Sequence, residues 1–256
     1  MKPGEFTVYV DDTNIEYYGM RLVGYEIQSY SKRKTLGTDV PGAHGTQPVP
    51  SALSSAPFIV KVVCTGNDAD ELNTKIREFF AFMYSTSGSR KIVFSDDQSV
   101  IRYAVLDSPE RYKVINGVDG AFTEIKMTFY MLDPFMHSSE TSKVVVDAEH
   151  GKKFSVYNEA FECPAVFSLE NTGTEDVTGV SLIVNGELAS FSCILKPKDV
   201  LVLDTNEYEV RLNEVVELDY WRGEMPLLKN GENLIYQQNT EGAHLKLSVS
   251  FTKLWV

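Results

Sequence analysis

A chain of 256 residues, 43% hydrophobic and 23% charged, suits two domains of about 100–150 residues, each with its own core. The net charge of −12 is uneven, −3 over residues 1–137 and −9 over 138–256. The second half therefore lacks the basic face that phosphate binding requires, which argues against specific nucleic-acid binding.

No run approaches the roughly 20 apolar residues of a membrane span, and Met1-Lys2-Pro3-Gly4-Glu5 lacks the apolar core of a signal peptide. The expectation is a soluble protein made in a cytoplasm, without a membrane partner. Cys64, Cys163 and Cys193 form an odd set with no C-x-x-C pair, which points to buried thiols, not to a disulfide framework or a zinc site.

In chain order, the first dense feature is the basic cluster Lys32-Arg33-Lys34, flanked by Ser31 and Thr35-Leu36-Gly37, which suits a solvated strand end or loop. From about Thr38 to Pro57 the composition is that of a linker, with Pro41, Pro48, Pro50 and Pro57 and few large apolar residues. Its position argues against a domain boundary, because the elements after it complete a sheet begun before it. A segment this polar buries too little of its own surface to become ordered without an outside one.

A short apolar strand, Phe58 to Cys64, precedes an amphipathic helix from Asp68 to about Ser85. Leu72, Ile76, Phe79, Phe80 and Met83 fall on one stripe, Asp68 caps the start with Glu71 three residues on, and Ser87-Gly88-Ser89 supplies a stop. Lys91 to Phe94 is a second strand. Thr123, Ile125, Met127, Phe129 and Met131 alternate with Phe122, Glu124, Lys126, Thr128 and Tyr130, giving a strand with one wet face.

The patterning breaks at Ser138-Ser139-Glu140-Thr141-Ser142, so the boundary is placed between His137 and Lys143, giving domains 1–137 and 138–256. Beyond it, short strands are expected at 143–146, 153–157, 165–170, 180–184, 188–194, 200–204, 207–212, 234–237 and 245–254, most of them separated by turn signals. Asn185-Gly186 is the clearest tight hairpin. The fold class is mainly β: a first domain of strands with one helix, then a β-sandwich.

Catalytic patterns are missing: there is no G-x-S-x-G, H-E-x-x-H, P-loop or dinucleotide fingerprint. His44, His137, His150 and His244 are scattered, and the acid pairs Asp11-Asp12, Asp96-Asp97 and Glu175-Asp176 suit turns, since neighbours on a strand point to opposite faces. No catalytic, metal or cofactor residue is assigned. The rival function is carbohydrate binding through Tyr220 and Trp221, the latter beside Arg222-Gly223 in what reads as an exposed turn.

The order of segments resembles the distal tail protein family of long-tailed bacteriophages. Phe6-Thr7-Val8, Tyr18-Gly19-Met20 and Tyr25-Glu26-Ile27 are similar to its opening strand, turn and strand, and Val40-Pro41-Gly42-Ala43-His44-Gly45 to its Pro-Gly-x-x-Gly loop. The capped helix, Lys91 to Asp97, Arg102 to Val105 and Asp133-Pro134-Phe135 follow, and Pro226 to Asn233 and Phe251 to Trp255 match the closing hairpin and last strand.

The resemblance implies a β-sandwich-like first domain in which the Thr38–Pro57 region is a long β-hairpin loop, and a galectin-like second sandwich, although the sugar-binding residue set of true galectins cannot be placed here. It also implies a structural, non-enzymatic role. Six copies would form a ring at the virion tail tip, joining the tail tube protein to tail-spike or receptor-binding proteins, in a phage or prophage product synthesised in the bacterial cytoplasm. Ring contacts would come from Val40, Pro41, Gly42, His44, Gly45, Gln47, Val49 and Leu53, helped by the exposed face of the Phe122–Tyr130 strand. Lys32, Arg33 and Lys34 would face DNA in a central channel.

Overall fold

The computed structural model describes residues 6–27, 36–39, 46–49, 53–239 and 244–256, with backbone only for 36–39 and 46–49. The chain divides into two compact units, Met1–His137 with Val256, and Ser138–Trp255.

The first unit contains β1 (Val8–Val10), β2 (Thr13–Asn14), β3 (Met20–Ile27), β4 (Leu36–Asp39), β5 (Thr46–Val49), β6 (Ala56–Gly66), α1 (Ala69–Met83), β7 (Arg90–Phe94), β8 (Asp97–Pro109), β9 (Ile115–Gly117) and β10 (Gly120–Met131). Its main sheet runs β8-β10-β6-β3, while β8 also carries β7, and β7 carries β1. The strongest ladder is β10 on β6, antiparallel from Ala121 opposite Gly66 to Met131 opposite Ala56. Both strands alternate as a sheet with one wet face should: Phe58, Val60, Val62 and Cys64 are buried on one, Ile125, Met127, Phe129 and Met131 on the other.

Helix α1 lies against this sheet and against the short 3-10 helix Ile15–Tyr18. Leu72, Ile76, Phe79 and Met83 are buried, and Phe80 is half-buried beside the core. Asp68 caps as expected, its carboxylate accepting the Glu71 N–H at 2.8 Å while the Glu71 side chain accepts from the Asn67 N–H at 2.9 Å. Gly66 and Gly120 let strands and helix meet closely. A Cβ on Gly120, whose φ is 125°, would fall 2.5 Å from the Gly66 carbonyl oxygen, and one on Gly66 would fall 2.7 Å from the Leu72 nitrogen.

The helix stop differs from expectation. It ends at Met83, before Ser87-Gly88-Ser89, where the Arg90 guanidinium on β7 engages its last carbonyls: Nε donates to the Met83 oxygen at 3.1 Å, and Nη2 to that of Phe82, which also accepts from the Ser85 N–H. The same guanidinium pairs with the Asp11 carboxylate and lies 4.5 Å above the Phe82 ring. Asp11 and Asp12 both have positive φ (48° and 64°) between paired Val10 and Thr13, which is a type I′ hairpin turn.

The second unit begins within β11 (Met136–Ala148) and continues with β12 (Lys153–Asn158), β13 (Val166–Asn171), β14 (Ser181–Val184), β15 (Glu187–Phe191), β16 (Val200–Asp204), β17 (Glu209–Leu212), β18 (Val215–Val216), β19 (Trp221–Gly223), β20 (Gly231–Gln238) and β21 (Leu245–Trp255). One sheet is ordered β12-β20-β14-β15-β19 and the other holds β18-β17-β16-β13-β21. Each has one buried face (Val156, Leu182, Val184, Ala189 and Ile235; Phe167, Leu169, Leu201, Leu203, Leu247 and Val249), and these faces make a separate core, as a sandwich requires. Asn185 (φ 53°) and Gly186 (φ 91°) form the type I′ turn between β14 and β15.

Three expectations are corrected. Ser138 to Ser142 is not a break: β11 runs straight through it, since Ser and Thr are compatible with a strand whose faces are partly wet. The 207–212 strand begins only at Glu209, because Tyr208 adopts φ 57°. Trp221 is not in a turn but opens β19, an edge strand paired to β15 with Trp221 opposite Phe191.

Candidate assembly surface

The expected ring residues are partly visible. Val40, Pro41, Gly42, His44 and Gly45 lie outside the described residues, as do Lys32, Arg33 and Lys34. Around the first group, β4 and β5 form an antiparallel ladder, Leu36 opposite Val49 and Thr38 opposite Gln47, so a β-hairpin does interrupt the main sheet between β3 and β6. Leu53 is half-buried.

The outward face of β10 is not uniform. Its middle is charged and solvated: Lys126 pairs with Glu110 at 2.6 Å, and on neighbouring β6 Lys61 pairs with Glu26 at 2.5 Å, which holds the Glu26 carboxyl below its ordinary range. Exposed pairs of this kind add little stability. Its ends carry aromatics, Phe122 and Tyr130.

Beside Phe122 the fold builds an apolar hairpin tip. Ile115 on β9 faces Phe122 across the ladder, and the tight turn between paired Gly117 and Gly120 presents Val118 fully to solvent. Tyr112 is exposed on the approach to this hairpin. A β-branched apolar side chain at a hairpin tip packs nothing in its own chain, and such a patch suits contact with another protein.

The polar and titratable groups serve the fold. Asp96 accepts the Tyr25 hydroxyl at 2.9 Å; burial first, and this bond second, push the Tyr25 pKa up to about 12. Arg102 is buried over the Phe94 ring with Asp97 at 3.5 Å, and burial lowers its pKa. His137 shares a 2.8 Å contact with Asp133, and His150 one of 3.3 Å with Asn239. Glu175 engages Asn171 through its backbone carbonyl. All three cysteines are buried free thiols, and burial pushes Cys163 up to about 11. Among the described residues no three of His, Cys, Asp and Glu gather as metal ligands would, and no helix is long and apolar enough to cross a membrane.

Trp221 lines a hollow of about 480 Å³ with Tyr208, Leu218, Arg222, Gly223 and Met225, whereas Tyr220 is not in its wall. The wall is mostly apolar, and Arg222 is occupied by the carbonyls of Asp219 (3.1 Å) and Trp221 (2.6 Å).

Residues 25–131 match the family model of a phage tail protein RIFT-related domain. The match spans the second half of β3 through the end of β10, hence the β4–β5 hairpin, α1 and the Val118 hairpin. No curated protein matches the sequence closely enough to count as a relative. Among solved structures, the Dit protein of phage SPP1, described as a paradigm of the hub adsorption apparatus in phages infecting Gram-positive bacteria, aligns with a TM-score of 0.79 at 14% identity, covering 98% of this chain and 99% of that one. A chain of the phage P2 baseplate, in its activated conformation with calcium, is more loosely similar, with a TM-score of 0.49 at 11% identity over 95% and 97% of the two chains.

Within the first unit, residues 25–131 are thus similar to a phage tail RIFT-related domain. The chain as a whole has the fold of the SPP1 Dit protein.

Proposed function

We propose that this protein is a structural hub of a phage tail tip, in which the first unit of six copies closes into a ring between the tail tube and the tip or baseplate proteins. In this reading it is part of the virion and catalyses nothing. The observation that carries the reading is the agreement of fold with the SPP1 hub protein over almost the full length of both chains, with the phage tail domain falling on the helix-bearing unit. The second unit then serves as a docking surface.

A ring needs two different, mutually complementary faces on each copy. The first unit offers suitable material for one of them: the β4–β5 hairpin and the apolar tip formed by Ile115, Val118 and Phe122. Replacing Val118 and Phe122 together with Asp is expected to abolish rings while leaving the thermal transition within about 5 °C, since two surface changes together cost about 1 kcal/mol or less. Rings that persist in that variant, seen by negative-stain microscopy, would remove this hairpin from the interface.

A further inference from the structure

The second unit has a corner where the edge strands of its two sheets, β18 and β19, are joined by the 3-10 helix Leu218–Tyr220. Three independent observations meet there. The first is the apolar hollow beneath Tyr208, Leu218 and Trp221. A second hollow of about 440 Å³ lies along β16 and β17, lined by Val200, Val202, Arg211, Asn213 and Glu214.

The second observation is strain. Tyr208 holds a φ of 57° while remaining 68% exposed. An aromatic residue in the left-handed region is unfavourable, and Tyr208 gains little burial in return. Glycine would suit that backbone better, so the free chain has no evident structural use for a tyrosine there. The Trp221 indole N–H is buried without an acceptor among the described residues, so the ring also lacks the hydrogen bond that normally anchors a buried indole.

The third is charge. Residues 204–224 hold seven acidic and two basic side chains, −5 of the −9 carried by the whole second half. Both basic groups are already engaged: Arg211 by Glu209 at 2.7 Å, and Arg222 by backbone carbonyls. The corner therefore offers apolar hollows inside an acidic rim.

We infer that this corner docks an extended segment of a partner protein in which apolar side chains alternate with lysine or arginine. An extended chain sends alternate residues to opposite sides, so apolar side chains would enter the hollows while cations meet the rim. The acidic rim disfavours acidic partners and makes the encounter salt-dependent. The inference rests on the docking role proposed above for the second unit and names its site and partner chemistry.

The test uses the full chain labelled with nitrogen-15. It has two tryptophans, Trp221 and Trp255, so a Trp221→Phe variant assigns the indole signals. A seven-residue peptide of alternating lysine and leucine is expected to shift the Trp221 indole signal saturably and to weaken at least about fivefold between 50 and 300 mM salt. Peptides of alternating glutamate and leucine, or lysine and serine, should leave it in place. Tyr208→Gly should keep or raise the melting temperature while weakening the lysine–leucine peptide several-fold.

Equal binding of the glutamate–leucine peptide, no shift with any peptide, or a Tyr208→Gly variant that binds normally would each overturn the inference. A shift with a galactose-containing oligosaccharide and not with the peptide would overturn it in favour of a sugar site. None of these results depends on ring formation, so failure here leaves the hub reading standing.

Discussion

The two units solve the same problem, the burial of backbone groups at the ends of elements, with different side chains. The helix-bearing unit uses charge: Arg90, buried between α1 and the Asp11 turn, takes helix carbonyls and a carboxylate at once. The sandwich adds neutral amides to the carboxylates of Asp199 and Asp204, which accept turn N–H groups. Asn158 donates to the Phe161 carbonyl at 2.9 Å and that of Leu228 at 3.2 Å; Asn171 donates to Glu175 and Leu195, both at 2.8 Å; Asn233 accepts from Asn185 at 2.7 Å and from the Lys229 N–H at 2.8 Å. A helix end presents several converging carbonyls with partial negative charge, which suits a forked cation. A loop crossing a sandwich edge presents one donor and one acceptor, which suits an amide that carries both.

The comparison can be broken first at the cores. Phe79→Ala in one unit and Phe167→Ala in the other should each cost about 3–5 kcal/mol, both side chains being almost wholly buried. Calorimetry on both variants would show whether each loss lowers a separate transition. Arg90→Met should cost about 2–3 kcal/mol, because it removes a donor from the helix-end carbonyls and the cation from Asp11; Asp11 is 42% exposed and keeps the Lys91 N–H, which holds the figure below that of a fully buried pair.

Asn158→Ala should cost about 1–2 kcal/mol by urea titration, less than Arg90→Met if neutral capping is the weaker device. Asp68→Ala should cost about 1 kcal/mol through loss of the α1 cap. The finest effect is alkaline. The folded pKa of Tyr25 lies above its ordinary value, so the unfolded chain loses that proton first, and its contribution is intact below about pH 10 and falls away toward about 12. In Tyr25→Phe the dependence of stability on pH over that window should flatten, as measured by urea titration at several pH values.

Local features of the fold were legible. The stripe and cap of α1, the alternation along β10 and the Asn185-Gly186 turn each rest on residues close in sequence, so periodicity and turn chemistry suffice. Arg90 was not legible, because its partners Asp11 and Phe82 are assembled by tertiary packing. The Asp11-Asp12 turn was legible from its two acids, but its type I′ geometry was not, because no glycine marked it. At the candidate surfaces, Val118 carries no signal until β9 and β10 pair around it, and Tyr208 looks like an ordinary strand residue until its φ is known. The run of acids from 204 to 224 was visible in the sequence; what it surrounds was not.

Native mass spectrometry of the purified full chain, across a concentration series and with negative-stain images of the dominant species, tests the central claim most directly. The account predicts a species of six chain masses that appears as a closed ring. A strict monomer at every concentration, or an open fibre in place of a ring, would contradict it.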